Sequence, residues 1–446
     1  MILCLILLLG ALMYVIYNVV GKTLTSPSII FTFSLFGSAC VSFILEDYYS
    51  LTIGYDTLII IIIGSIAFFI GEYFSRLLFL KVKKSNITER SLKNKKYNTR
   101  FKVKRKIICI YSLIGIITIV VLYNNVTSLA ASIAGGNIDS EQVLMYAEMA
   151  KGNDMASMEI YPFWMLLFQI INTAICFVSI YCFSYNTIIY GVKFKETYFL
   201  IPVVVYIIMS ILMMSRSGLI ELVVYEFTLV SILWKINYGN MISNKKILKY
   251  GCIVFIVFMM LFFYMRFLRG DGGQFDLVED IFAYAGSEIP GMDAYLKGKF
   301  QFKEPYDEYV GSHTFLGLYY FLHRIGFDIP PIARYIQYVF FNNNGYTNVY
   351  TIFTRYILDF GLPITIMLMY ILGLLYGCIY NHIVKNKDIG VPLLVYASIV
   401  IAVYYSSISE MFFSAIIHPI YIGRLILICI FYNYVKKLAN IDILED

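Results

Sequence analysis

The run from Gly311 to Gly361, GSHTFLGLYYFLHRIGFDIPPIARYIQYVFFNNNGYTNVYTIFTRYILDFG, sets aromatic rings among His313, His323, Arg324, Arg334, Arg355 and Asp359. It is too polar for one membrane span and too apolar for a solvated linker. Such a mixture suits a segment at a membrane surface, with rings at headgroup depth and cations facing a polar ligand. A planar guanidinium grips phosphate or carboxylate oxygens through two parallel hydrogen bonds. An imidazole titrating near neutrality can take a proton from a hydroxyl. The residue types therefore predict a polyanion held by arginines, with His313 as candidate base and His323 as a weaker one. A structural role for either histidine stays open. Arg355 and Asp359 are four apart and can pair across one helical turn.

Other cations fit the same chemistry. Arg216 lies in SRSG (Ser215–Gly218), at a tight turn between two apolar runs, with Glu221 and Glu226 further along. A cation there is costly unless paired, so it is either functional or half of an Arg–Glu pair holding two helices together. Arg266 and Arg269, three apart, share a helix face just before Gly270, Gly272 and Gly273, and form either a diphosphate clasp or an interfacial anchor. Arg424, flanked by Gly423 and near His418, falls in the middle of an apolar run and needs a partner or an aqueous cavity. Glu72 and Arg76 have the spacing of an intrahelical pair. His382 sits at a helix end and reads as inert. No carboxylate cluster has the form of a metal site.

The elements that position these residues are membrane spans. The chain has 446 residues, 60% of them hydrophobic and 14% charged, with mean hydropathy +0.74, which excludes an ordinary soluble protein. Apolar runs long enough to cross about 30 Å of hydrocarbon occur at roughly 2–20, 28–45, 57–80, 107–123, 161–188, 198–214, 217–234, 250–266, 361–380, 391–408 and 413–435. The expected fold is an all-α integral membrane protein of about eleven spans, forming one polytopic domain over 1–446. The 81–106 loop, with Lys81, Lys83, Lys84, Arg90, Lys93 and Arg105 among its cations, is read as cytosolic. The loops 124–160 and 267–360 then lie outside, the N-terminus outside and the C-terminus in the cytosol. Residues 139–159 could form a surface helix, and 347–359 a short interfacial helix feeding the span that Pro363 opens.

The side assigned to the cytosol is dominated by lysine, whereas Arg76, Arg216, Arg266, Arg269, Arg324, Arg334, Arg355 and Arg424 fall elsewhere. The net charge of +6 does not point to nucleic acid, because the basic residues lie in orienting loops. The eight cysteines sit in or beside apolar runs without metal-ligand spacing and read as small core residues.

The whole topology, together with SRSG at 215–218 and the TNVYT…DFG run at 347–361, resembles bacterial oligosaccharide repeat-unit polymerases of the O-antigen polymerase (Wzy) type, relatives of the O-antigen ligases. The resemblance implies a membrane glycosyltransferase fold in the bacterial cytoplasmic (inner) membrane. It implies transfer of a growing glycan between undecaprenyl-diphosphate-linked oligosaccharides at the outer leaflet, with undecaprenyl diphosphate leaving and no metal or nucleotide cofactor. It implies a flippase and a chain-length regulator as partners besides the lipid bilayer. Arg216 matches the arginine of the family's SR motif, and Asn348, Tyr350 and Asp359 match the end of its outer loop. The ligases carry a functional histidine there, where this chain has Thr347 and Asn348. Catalysis would fall to Arg216, Arg355, His313 and Asp359, and substrate binding to Arg266, Arg269, Arg324, Arg334, Asn348, Tyr350 and Arg424. A lipid-linked oligosaccharide flippase or other transporter, and a glycan ligase, are the alternatives.

Overall fold

A computed structural model describes residues 1–86, 100–134, 143–144, 146–147, 163–213, 215–268, 278, 281–298, 309–329 and 338–441. Seven helices are long and apolar enough to cross a membrane: Ile2–Val19, Pro27–Ile44, Tyr55–Leu78, Lys106–Ser132, Trp164–Tyr190, Phe194–Leu212 and Ile352–Asn386. The chain is an all-α, multi-pass membrane protein. The other four expected spans are largely helical but fall outside that set. The helix Arg216–Tyr238 carries Glu221 and Glu226, and Asn240–Leu268 opens on a polar turn. The 391–408 run is broken into Val391–Ile399, Ile401–Tyr404 and Tyr405–Ser407, and the last helix begins only at Pro419 after a wide turn at Phe412–Ile416.

The chain gathers into two compact units. The first comprises Met1–Asn86, Asp276–Lys387 and Ile399–Pro419; the second Ile87–Phe275, Asp388–Ser398 and Ile420–Asp446.

The first unit is organised by the crossing of Tyr55–Asn86 against Ile352–Asn386. A Cβ on Gly71 would stand 2.1 Å from the carbonyl oxygen of Tyr370, and one on Gly373 only 2.0 Å from that of Phe68. A Cβ on Gly377 would meet Ser75 Oγ at 2.5 Å. Helices bathed in lipid gain little from burying apolar side chains, so small residues that admit close backbone approach take over. Polar groups tie a third helix to this pair. Glu72 is fully buried and accepts from Ser26 Oγ (2.6 and 2.8 Å) and the Ser28 N–H (2.8 Å), with Arg76 Nε at 3.6 Å. The expected Glu72–Arg76 pair is thus present and also fixes the start of Pro27–Ile44. Asn381 donates to Ser75 Oγ at 2.8 Å on the next turn.

Gly361 interrupts Ile352–Asn386 with φ 73° and ψ 176°, leaving a short helical piece before it and the span after it, with Pro363 in the opening turns. The expected short helix before the span exists but starts at Ile352, because Tyr346–Thr347 pair instead with Val339–Phe340 in a two-residue hairpin. Asn343 and Asn344 turn this hairpin at positive φ (52° and 59°), a conformation asparagine tolerates better than most residues. The 267–360 segment also carries two short helices, Glu288–Leu296 and Leu316–Arg324.

In the second unit Leu122, Val126 and Ala130 of Arg105–Ala134 pack on Met165, Val205 and Met209. Arg100 grips Glu196, donating from both Nε and Nη2. Helix Tyr55–Asn86 runs past the expected end of its span, and 87–99 of the basic loop lie outside the described residues, as does most of the surface helix expected over 139–159.

Gly373→Ala and Gly71→Ala should each lower the thermal unfolding temperature in detergent, since overpacking of this kind costs roughly 1–3 kcal/mol. Gly37→Ala, whose added Cβ meets nothing within 4 Å, should leave it unchanged.

Candidate functional site

Polar residues of the first unit converge where Ile352–Asn386 begins. Asp359 accepts from two successive main-chain N–H groups, His313 at 3.3 Å and Thr314 at 2.6 Å. Arg355 Nη1 donates to the carbonyl of His313 at 3.0 Å, and Thr314 Oγ1 donates to the carbonyl of Arg355 at 3.4 Å. The 311–315 turn is therefore stapled to one turn of helix, with the His313 main chain held at both ends. Gly311 starts that turn at φ 77°, and a Cβ there would run into the Phe315 ring at 2.7 Å. His313 itself is half-buried. Spacing predicts an Arg355–Asp359 pair; these bonds of both side chains go instead to the 313–314 backbone.

Glu410 lies one helix face away and is fully buried. Its carboxylate accepts from Tyr356 OH at 3.0 Å, the Phe413 N–H at 2.7 Å and the Ser414 N–H at 2.9 Å. Burial pushes this carboxyl up, opposed by the two N–H bonds and the positive charge of Arg355. Helix Leu316–Arg324 presses on the same segment: a Cβ on Gly317 would sit 2.1 Å from the Ser414 carbonyl oxygen. The His418 ring faces Phe321 and Tyr320 at 5.9 and 6.3 Å. Arg324 is half-buried in the last turn of that helix. His323 Nδ1 is hydrogen-bonded with the Ile329 carbonyl at 2.7 Å and so ties down the following turn.

The TNVYT run packs against Glu288–Leu296. Ser287 Oγ donates to Thr347 Oγ1 at 2.8 Å, and a Cβ on Gly291 would meet Thr347 Cγ2 at 2.8 Å. Tyr350 is buried with Ala294 and Val339 in a small apolar cluster, and Asn348 is half-buried beside it. The same helix carries two acids that spacing gave no reason to single out. Asp293 accepts from the Gly54 N–H (2.6 Å), Thr57 Oγ1 (2.8 Å) and Lys297 Nζ (2.5 Å), docking the helix on the start of Tyr55–Asn86. Glu288 is fully buried; Ser38 Oγ donates to its Oε2 at 2.9 Å, while Oε1 has no hydrogen-bond partner. Burial pushes the Glu288 carboxyl up to about 7. The available sequence signal was two acids, five apart, in an otherwise apolar stretch.

In the second unit SRSG forms the start of Arg216–Tyr238. Ser215 is the N-cap, its Oγ accepting from the Gly218 N–H at 3.2 Å. Gly218 admits close approach of Ser210 and Tyr206, whose hydroxyl donates to the Gly218 carbonyl at 3.0 Å. Ser215 and Gly218 thus have folding roles, while Arg216 occupies the first helical position. Glu221, one of its two expected partners, is taken by Arg424: Nη1 donates to Oε2 at 2.8 Å and Nη2 to Oε1. The guanidinium stacks on Tyr421 at 3.8 Å, and the Tyr421 hydroxyl lies within hydrogen-bond distance of two acceptors, Glu221 (2.9 Å) and the Ser398 carbonyl (2.6 Å). The partner demanded of a mid-span arginine is therefore present. Arg266 falls on the last turn of Asn240–Leu268, and Arg269 and Arg334 lie outside the described residues. Among the described residues no group of three His, Cys, Asp or Glu side chains comes together to hold a metal.

Between about pH 4.5 and about pH 7 the folded chain keeps a proton on Glu288 that the unfolded chain has lost, so this residue makes stability fall as pH rises through that window. Glu288→Gln should flatten that part of the thermal-stability profile. Its gain over the native residue should be greater at pH 8 than at pH 4, by up to roughly 3 kcal/mol. A native profile with the same slope as the variant's would mean that Glu288 ionises normally in the fold.

Searched against protein-family models, curated proteins and solved structures, the chain matches none of them.

Proposed function

We propose that this chain is a membrane glycosyltransferase that polymerises undecaprenyl-diphosphate-linked oligosaccharide repeat units at the outer face of the bacterial cytoplasmic membrane. On this reading the chain crosses about eleven times, with the N-terminus outside and the C-terminus in the cytosol. The observation that carries the proposal is the staple at 313–314: a cation, a carboxylate and a histidine-bearing turn held at a broken helix entry.

The chemistry asks for such parts. Glycosyl transfer develops oxocarbenium character at the anomeric carbon and negative charge on the departing diphosphate. Fixed cations at that oxygen stabilise the transition state more than the bound substrate. Hydrogen bonds to charged groups contribute roughly 1.5–3 kcal/mol each, so two or three arginines supply a sizeable share of the rate. Arg216 serves as the diphosphate ligand, since its neighbours Ser215 and Gly218 account for the local fold without it. His313 takes the proton of the acceptor hydroxyl as the new glycosidic bond forms and the bond to diphosphate breaks. Arg355 and Asp359 act chiefly by fixing the backbone that carries His313. Arg266, Arg269, Arg324, Arg334 and Asn348 serve as further ligands of the lipid-linked glycan. Tyr350 supports the loop from its apolar cluster, and Arg424 pairs with Glu221 rather than with substrate.

A second reading, transport of the lipid-linked oligosaccharide, draws on Glu226. This half-buried acid in Arg216–Tyr238 accepts from Ser184 Oγ at 2.6 Å, and its Oε2 has no hydrogen-bond partner. An acid of that kind suits an ion-coupled carrier.

Arg216→Ala and His313→Ala should reduce the surface polymer to single repeat units at undiminished protein level. The polymerisation rate should fall about 100-fold or more for the base variant. A flippase would instead trap the units inside the cell, so loss of single units from the surface favours transport. Arg216→Lys should restore little activity if bidentate contact matters; full activity would remove the diphosphate role of the guanidinium.

A further inference from the structure

The second unit contains a cavity of about 200 Å³ that no step of the proposed reaction uses. Its lining is almost wholly apolar. On Phe163–Tyr190 it takes Ile175, Val178, Ser179 and Cys182, and on Pro419–Ile441 it takes Phe431, Tyr434, Val435 and Leu438. Both sets follow the spacing i, i+3, i+4, i+7, so each helix turns one continuous face to the void. Two helices that presented such faces to each other would normally interdigitate. Here the ring contact of Tyr181 with Tyr432, at 5.5 Å, closes the adjoining turn and leaves the space beside it open. An apolar space of this kind does not hold water. In a membrane it fills with hydrocarbon.

Charge decides which hydrocarbon. Lysines interrupt or adjoin the lining on three separate elements. Lys104 and Lys106 neighbour Val103 and Ile107, Lys195 precedes Tyr198, and Lys436 and Lys437 lie between Val435 and Leu438. All five are exposed. Of the described acids near these elements, Glu196 is buried against Arg100 in a bidentate pair, and Asp388 turns its carboxylate to the Gly390 N–H at 3.2 Å. Among the described residues these five lysines outnumber the two acids, so the collar keeps an excess of positive charge. Basic collars over apolar grooves between membrane helices suit anionic lipid headgroups.

We propose that this cavity is a binding site for an anionic glycerophospholipid, with part of one acyl chain in the cavity and the phosphate at the lysine collar. The site is independent of the glycosyltransferase reading. The test is native mass spectrometry of the full-length protein in detergent, titrated with phosphatidylglycerol and with phosphatidylcholine of identical chains. One phosphatidylglycerol should be retained at least ten-fold more tightly than phosphatidylcholine. The triple variant Lys104→Gln, Lys436→Gln, Lys437→Gln should lose that preference. The matched triple Lys245→Gln, Lys246→Gln, Lys249→Gln, on a different helix, should keep it. Ser179→Phe, which fills the cavity and spares the collar, should weaken phosphatidylglycerol retention at least five-fold; if that variant does not fold, the two surface triples still decide. Equal retention of the two lipids by the native chain overturns the proposal. So does equal loss in both lysine triples, which would mean only diffuse attraction to a basic surface.

Discussion

The close crossing of Tyr55–Asn86 with Ile352–Asn386 is the constraint on which the first unit rests. Its glycines, Gly71, Gly373 and Gly377, bring two backbones to a separation that no other side chain allows. The same crossing fixes what lies above and below it. Toward one end Glu72 collects Ser26, Ser28 and Arg76, and toward the other Phe68 stacks on Phe31 at 4.5 Å, with Phe353 against Phe31 edge-on. Phe353 belongs to the short helical piece that also bears Arg355 and Asp359. The polar staple is thus built on an element whose position is set by packing two turns away.

That arrangement changes how the charged residues of the unit are understood. Asp359, Asp293 and Glu410 each accept main-chain N–H groups, and each joins segments far apart in sequence. A carboxylate that accepts backbone donors is a strong fastening, since hydrogen bonds to charged groups are roughly twice as strong as neutral ones. Glu288 differs. It has one donor and one bare oxygen, and its burial favours the protonated form. Three acids organise the 281–361 segment and one leaves it sensitive to pH.

Much of this was legible in the residue types. Hydropathy located the helices, Pro363 and Gly361 marked the helix entry, and the four-residue spacing of Glu72 and Arg76 announced their pair. The hairpin at 339–347 was missed because two-residue strands carry no periodicity, although Asn342–Gly345 is a turn signal in its own right. The GxxxG spacing of Gly373 and Gly377 was also in plain view, and its meaning depends on a partner helix almost 300 residues earlier. Arg424 could be recognised as needing a counter-ion, but spacing offered no way to choose Glu221, on a different helix, over other acids. Asp359 shows the opposite limit: its nearest cation by spacing was Arg355, yet it spends both oxygens on the loop backbone, because those N–H groups would otherwise be buried without acceptors.

The glycine crossing has one more property. The Cβ that would point at each neighbouring carbonyl is replaced by a hydrogen, so the Cα–H of Gly71 faces the oxygen of Tyr370, and that of Gly373 faces the oxygen of Phe68. Such weak carbon-donor bonds contribute about 0.5–1 kcal/mol each, and they come here as a reciprocal couple. Neither member ionises, and neither is screened by salt. While Glu288 gains or loses its proton, this rivet holds the two helices at one angle.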